Sequence, residues 1–388
     1  MDHQHGPTGA DRRVLELPKR RYQDRAAALG ASFCLFDVAA EGKPDKRAGA
    51  EERSDGKSGG PLHELFCSCV PRSYITGHPL HWNSPDRHLP PTSSRNIDDS
   101  GDKAVKSALL IVAVIVLAGC LGVLWQLRKS TADQHLAQRA WEDLASLSVA
   151  LPDRYEPTMV LKVPEPARRF FAFAIEPGTR LTTVADLTML GDLSLGKKES
   201  PNYQPMTARQ ILAAPHGFVW EIQAGAGLMQ ISGSDGMVRG QSWTRFWLRG
   251  VVPVVRVGGD ADHLRSSFGR VVAEAAFWTP AFLLPREGIV WSAVDSNTAR
   301  VTVTHGALTQ AVDIRVDDTG QAIRVSMPRW TNANPDRVYR IQPFGGELSD
   351  FRKVSGYRVP FRVDGGNFFG TPDYFPFYRA RLTNVLFH

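Results

Sequence analysis

Glu274 is the residue whose type and surroundings most clearly suggest chemistry. It lies in the stretch ADHLRSSFGRVVAEAAFWTPAFLL, between the apolar residues Val271 and Trp278. A carboxylate beside an apolar face either has a raised pKa, as a general base would, or pairs with an arginine such as Arg249 or Arg256. Two interpretations are open: a polar group at the mouth of a ligand cavity, and a structural ion pair that ties a helix to a sheet.

Aromatic residues form the second group of candidates. Trp243 and Trp247 are four residues apart, so on a regular strand they face the same side, and Phe246 faces the other. Such side chains fill a core or line an apolar ligand cavity. Together with the carboxylate, the residues predicted to bind a ligand are Trp220, Trp247, Glu274, Phe277, Trp278, Phe282 and Trp291.

The sequence contains no complete enzyme motif. QAGAGLMQ contains Gly225 and Gly227 but no third glycine at dinucleotide-binding spacing, and it is typical of a hairpin. GQSWT, around Ser242, lacks the closing glycine of a nucleophile elbow. No two histidines after the apolar run are four residues apart, and all four cysteines lie at or before Cys120. The sequence therefore predicts no catalytic residue, no metal site and no cofactor.

The charge pattern argues against nucleic-acid binding. The formal net charge is +6, but Asp and Glu are interleaved with Arg along the chain. A nucleic-acid-binding surface usually shows a clustered basic patch. No such block is visible, so nucleic acid is not predicted as a partner.

An apolar run marks a transmembrane helix over residues 105–128. The 19 residues from Leu109 to Leu127 carry no charge, and at about 1.5 Å per residue they span roughly 28 Å, close to the thickness of a bilayer's hydrocarbon core. Trp125 lies near one end of the run, and the pair Arg128-Lys129 follows it, as residues at a membrane interface do. This pattern predicts a single-pass membrane anchor.

Cys120 allows a second interpretation of the same run. The motif LAGC matches the lipoprotein box, and translation from Val105 would place it in a signal peptide, with Cys120 lipidated. The residues after Cys120 stay apolar, which favours an uncleaved helix. Residues 1–103 are rich in Gly, Pro, Ser and charge, and are predicted to be either disordered or an extension that is not translated.

The rest of the chain predicts a mostly β domain of the α+β class. Residues 130–152 are expected to form an amphipathic helical linker, and residues 153–388 the domain. EPARRFFAFAI and TARQILAA predict short helices, and the stretch around Glu274 predicts a long helix ended by Pro280. Alternating segments predict many antiparallel strands, with a hairpin turn at DDTG. We expect an incomplete antiparallel barrel, or curved sheet, wrapped on the long helix.

Several stretches of the domain resemble a bacterial family of unknown function that carries a membrane anchor and is related in fold to the lipoprotein carriers LolA and LolB. They are PHGFVWEI, GVVPVVRVGG, AEAAFWTPAFLLPREGIVW, GGELSDFRKVSGYRVP and FFGTPDYFPFYRARLTNVLF. The resemblance implies a LolA-like open barrel whose concave apolar face is covered by a helix.

From the anchor and this resemblance we expect a bacterial inner-membrane protein whose C-terminal domain lies outside the cytoplasm. The expected function is binding of a hydrophobic ligand, namely a lipid, an acyl chain or a lipoprotein. The alternative is a structural or interaction module of an envelope complex, and a hydrolase is the third hypothesis. The aromatic stretch YFPFYRAR could form a membrane-facing lip or pack as part of the last strand.

Overall fold

The computed structural model describes residues 99–147 and 151–388. Helix α1 (Asp99–Ala145) contains 47 residues and carries the apolar run. The large apolar side chains from Leu109 to Leu127 are all exposed, and by length and composition this helix could cross a membrane. Cys120 lies inside the helix as a free thiol. Disorder or lack of translation is expected for residues 1–103; residues 1–98 lie outside the described residues, and residues 99–103 form the first part of α1.

Thirteen strands of the described chain form one antiparallel sheet. They are β1 (Val184–Ser194), β2 (Tyr203–Ala213), β3 (Gly217–Ala224), β4 (Ile231–Val238), β5 (Gln241–Leu248), β6 (Val252–Gly258), β7 (Ile289–Asp295), β8 (Thr298–His305), β9 (Leu308–Val316), β10 (Ala322–Thr331), β11 (Arg340–Val354), β12 (Tyr357–Asn367) and β13 (Phe375–Phe387).

The path of the chain explains why the sheet stays open. The order β6-β5-β4-β3-β2-β1-β13-β12-β11-β10-β9-β8-β7 makes every neighbour consecutive in sequence except β1 and β13. The two edge strands, β6 and β7, are joined only by helix α3 (Ala261–Trp278) and the 3-10 turn Pro280–Leu283. The expected open antiparallel sheet wrapped on a long helix is therefore confirmed.

Helix α3 is bounded and oriented by its sequence. Asp260 caps its first turn, because its carboxylate accepts a hydrogen bond of 2.7 Å from the backbone N–H of His263. Pro280 lies just beyond the helix end, as predicted. Its apolar side, including Phe268, Val272 and Trp278, is buried against the sheet. A second helix, α2 (Glu165–Ala174), matches the prediction for EPARRFFAFAI.

Two sequence expectations about local structure need correction. TARQILAA, predicted as a helix, forms the second half of β2. The prediction was wrong because Ile211 and Leu212 are buried on opposite faces of one strand, whereas a helix would place an apolar stripe on one side. Strand β1 was not anticipated, and it is the strand that joins β2 to β13.

The C-terminal part of α1 packs on the face of the sheet opposite to α3. Ala137, Ala140 and Leu144 form a small core with residues of β1 to β5, including Val219 and Trp243. Asp133, at the start of this packed part, accepts hydrogen bonds from Arg245, Trp247 and Arg256. The segment predicted to be a helical linker is thus part of the folded unit formed by the described residues from Leu117 onward.

Candidate functional site

A cavity of about 90 Å³ lies between the C-terminal half of α3 and strands β10 to β13. Most of its lining is apolar, with aromatic rings from α3, β3, β11 and β13. Four of the seven predicted ligand-binding residues line it together: Trp220, Glu274, Phe277 and Trp278. The fold therefore brings these four predicted residues together around one cavity.

Three predicted residues lie elsewhere. Trp247 is on the opposite face of the sheet, where its indole N–H donates to Asp133 at 3.1 Å. Phe282 lines a separate cavity, beside Arg286. Trp291 packs edge-on against Phe171 and is outside both cavities. Even spacing on β5 correctly puts Trp243 and Trp247 on one side, and that side faces α1.

Glycines create much of the room in the main cavity. Gly345, Gly346 and Gly365 line it from β11 and β12. A Cβ atom added at Gly365 would meet only the Gly345 carbonyl oxygen, at 3.7 Å, which is an ordinary contact. At Gly345 an added Cβ would come within 2.8 Å of the Phe369 ring. Gly365 is thus a position where a side chain can extend into the cavity.

Glu274 forms an ion pair, but with neither arginine named from the sequence. Its carboxylate accepts from Arg270 Nε at 2.5 Å and from Gln210 Nε2 at 2.5 Å. Arg256 pairs with Asp133, and Arg249 donates to the side chain of Gln230. The true partner is four residues before Glu274 on α3, a spacing visible in the sequence and favourable for ion pairs.

Arg270 is the centre of this polar group. Its guanidinium also donates to Asp235 at 2.7 Å and to Gln210 Oε1 at 3.0 Å, so it joins α3 to β4 and β2. Burial by itself would lower its pKa, but Glu274 and Asp235 together raise the pKa above its ordinary value. It remains a permanent cation shared by two carboxylates, beside the face of Phe218.

The network continues beneath α3 through residues that sequence motifs did not identify. Asp235 accepts from the Thr244 hydroxyl at 2.8 Å, and this hydroxyl lies 3.0 Å from His263 Nε2. His263 Nδ1 lies 2.8 Å from the Ser242 hydroxyl. Burial lowers the pKa of His263 below its ordinary value, the strongest of several opposing influences. Ser242 is only 4% exposed, so its hydroxyl is closed to a substrate.

Some polar groups also line the apolar cavity. Arg329 of β10 lines the cavity and lies over the Phe344 ring at 4.7 Å. The indole N–H of Trp278, which is buried, has no hydrogen-bond partner within the described part of the chain. Burial raises the pKa of Tyr378, whose hydroxyl lies 2.9 Å from the Met189 sulfur. The cavity therefore offers apolar surface with a few hydrogen-bond donors, the pattern common to small-molecule sites.

No group of three metal-ligating side chains occurs within residues 99–147 and 151–388. His216 and His305 do approach each other, with ring centroids 5.9 Å apart, in the cavity that contains Phe282. Burial and the neighbouring His305 lower the pKa of His216, so the neutral form is favoured.

Comparisons with known proteins give one family match. Residues 153–380 match the model of a family of unknown function, DUF6544. Two solved structures are similar, each with a TM-score of 0.27 and coverage of 53% of this chain and 85% of theirs. They are a LolA superfamily protein from Nitrosomonas europaea, 6% identical, and a domain named for outer-membrane lipoprotein sorting from Vibrio parahaemolyticus, 8% identical. No curated protein matches the chain.

Proposed function

The chain belongs to the family of unknown function DUF6544, and from this premise we propose that it is a membrane-anchored envelope protein that binds an apolar ligand under α3. The observation that carries the proposal is the cavity between α3 and β10 to β13, lined by aromatic rings and strand glycines. A core filled for stability alone is close-packed. The ligand class is a lipid or an acyl chain, free or attached to a lipoprotein.

The size of the cavity defines what can enter without movement. At about 90 Å³ it is smaller than the dry cavity of roughly 150 Å³ that is known to bind benzene. The end of an acyl chain fits this space, and a longer part of the chain requires α3 to move away from β10 and β11. Because α3 connects the two unpaired edges of the sheet, such a movement would break no strand pairing.

The membrane part of the proposal is supported by α1. Its exposed apolar stretch is long enough to cross a bilayer, and Arg128 and Lys129 follow it directly. Placement in the inner membrane, with the domain outside the cytoplasm, completes the proposal. The interaction-module alternative is less well supported, since a cavity lined by aromatic rings would then have no use.

A cavity-filling variant tests ligand binding. The full-length protein is purified in mild detergent, incubated with a photoreactive fatty acid and illuminated, and the cross-linked peptides are mapped by mass spectrometry. We expect cross-links in α3 and β11, and we expect Gly365→Leu to reduce them at least several-fold because its side chain occupies the cavity.

Two controls accompany this experiment. Gly365→Ala adds only a methyl group and should retain most of the α3 cross-links. Cross-links to the apolar stretch of α1 should be equal in all three proteins and serve as an internal standard. If the fatty acid labels α1 alone, or labels α3 equally in Gly365→Leu, the cavity is not its binding site.

A further inference from the structure

The contact between α1 and the sheet begins immediately after the apolar run. Ser130 lies against the β5–β6 turn, since a Cβ atom built on Gly250 would be 3.9 Å from its hydroxyl oxygen. Ser130 is only three residues beyond Leu127, about 4.5 Å along a helix. Asp133, one turn further, is held by Arg245 and Arg256. No flexible linker separates the apolar run from the domain.

From Ser130, helix α1 runs along the face of the sheet, from one end of the strands to the other. Ser130 meets the β5–β6 turn, whereas Asp143 pairs with Arg239 in the β4–β5 turn, with 3.3 Å between the charged groups. These two turns are at opposite ends of strand β5. The apolar run therefore leaves the domain at the end of the sheet that carries the β5–β6 turn, which we call the anchor edge.

The anchor edge carries three turns of the first half of the sheet. Ile231, which begins β4, pairs with Leu248, which ends β5, and the backbone N–H of Arg249 donates to the Gln230 carbonyl at 2.9 Å. The β3–β4 and β5–β6 turns are therefore adjacent. Since β1, β2 and β3 alternate in direction, the β1–β2 turn, residues 195–202, lies at the same edge.

The β3–β4 turn presents apolar side chains that nothing in the domain covers. Leu228 is 83% exposed, more than any other large apolar side chain of the described residues, and its neighbour Met229 is 65% exposed. Val252, just after the adjacent turn, is 54% exposed. A turn gains nothing in water from exposed Leu and Met, whereas a bilayer interface buries them.

We infer that the anchor edge rests on the bilayer surface, with Leu228 and Met229 inserted among the lipid headgroups. The partner is the lipid surface itself, and the inference depends on the proposed membrane anchoring by α1. Helix α1 determines which end of the domain faces the bilayer, and Leu228 and Met229 make the contact with it. A domain held this way has a fixed orientation on the membrane instead of moving freely on a tether.

This orientation places the ligand cavity near the bilayer. Tyr378, which lines the cavity, pairs with Leu193, one residue before the end of β1 at the anchor edge. The β12–β13 turn, which contains the packed rings of Phe369 and Tyr374, lies at the same edge. A lipid moving between bilayer and cavity would then pass this edge without crossing bulk water.

Depth-dependent quenching tests the inference on the full-length protein. In a background without native cysteines, one cysteine is introduced as Leu228→Cys and labelled with an environment-sensitive fluorophore. The protein is reconstituted into vesicles of phosphatidylethanolamine and phosphatidylglycerol, with or without lipids that carry a nitroxide near the headgroup. We expect a blue-shifted label and several-fold stronger quenching than at a matched control site.

The control site is Gln241→Cys, at the exposed first residue of β5, next to the β4–β5 turn. It lies at the other end of the same strands, roughly 23 Å away along β5. Equal, weak quenching at both sites in protein that floats with the vesicles would overturn this inference and leave the membrane anchor standing. Protein that fails to float would overturn the anchor and, with it, the orientation. Strong quenching at Leu228→Cys alone supports both.

Discussion

At the scale of single residues, Arg270 is the side chain on which the buried polar group depends. It is the cation in direct contact with Asp235 and Glu274, and its side chain is 13% exposed. Removing one partner of a buried ion pair leaves the other charge uncompensated in a region of low dielectric constant. Here the removal of one guanidinium affects two carboxylates.

We therefore expect Arg270→Leu to lower the free energy of unfolding by roughly 3–5 kcal/mol. Urea denaturation followed by tryptophan fluorescence measures this change. A matched control is Arg300→Leu, since the Arg300–Asp313 pair is on the surface with the arginine 44% exposed, and exposed pairs contribute about 0–1 kcal/mol. Similar losses in both variants would contradict the central role of Arg270.

The buried His263 should make the free energy of unfolding depend on pH. Because burial lowers its pKa in the folded protein, the unfolded chain binds a proton more readily, and stability falls as the pH drops below about 6.5. Asp235 and Asp260 oppose this shift, but burial prevails. The comparison of unfolding midpoints at pH 7.5 and pH 5.5 should show a smaller difference in His263→Gln than in the unsubstituted protein. An unchanged difference would assign the pH dependence to other groups.

At the scale of elements, α1 and α3 have opposite roles. Helix α1 is held on one face of the sheet by apolar contacts and by the Asp133 ion pairs. Helix α3 covers the other face and bridges the two edge strands. The first holds the domain next to the end of the apolar run, and the second forms one wall of the cavity.

We expect weaker packing of α1 against the sheet to destabilise that helix alone. Leu144 is fully buried at the end of the helix, and Leu→Ala at such a site costs about 2–5 kcal/mol. In Leu144→Ala we expect faster hydrogen–deuterium exchange of the amides from Ser130 to Ala145, while the amides of α3 keep their protection. Equal acceleration in both helices would mean that α1 is required for the whole domain to stay folded.

At the scale of the whole molecule, the matched family region and the structural unit differ in extent. The family model begins at residue 153, whereas the packed part of α1 begins at Ser130 and buries Trp243, Val219 and their neighbours. Without this segment, an apolar patch and the side chains of Arg245 and Arg256 would face solvent. Contiguous apolar patches of this kind promote association.

We expect a fragment of residues 130–388 to be monomeric and soluble, and a fragment of residues 151–388 to associate or precipitate. Size-exclusion chromatography with light scattering distinguishes the two outcomes. The substitution Trp243→Ser in the shorter fragment should partly restore solubility by reducing the exposed patch. A monomeric, stable shorter fragment would show that the family region alone is a complete folding unit.

Much of the architecture could be predicted from local patterns. The uncharged run in α1, the amphipathic period of α3 ended by Pro280, and the alternating strands around DDTG each depend on side chains close in sequence. The resemblance to a family of unknown function was confirmed by the match over residues 153–380. TARQILAA failed because a strand buried on both faces shows no alternation that distinguishes it from a short helix.

The candidate site could be predicted only in part. The sequence by itself determined that Glu274 is a carboxylate on an apolar helix, that several aromatic residues accompany it, and that one run can cross a membrane, because these properties follow from residue type and short spacing. Tertiary structure alone decided that Arg270, Gln210 and Asp235 meet, that Trp247 faces α1, and that Gly365 opens onto the cavity. Most of these contacts join a helix to strands that are distant from it in the chain, and the register and curvature of the strands depend on how the complete sheet packs around α3.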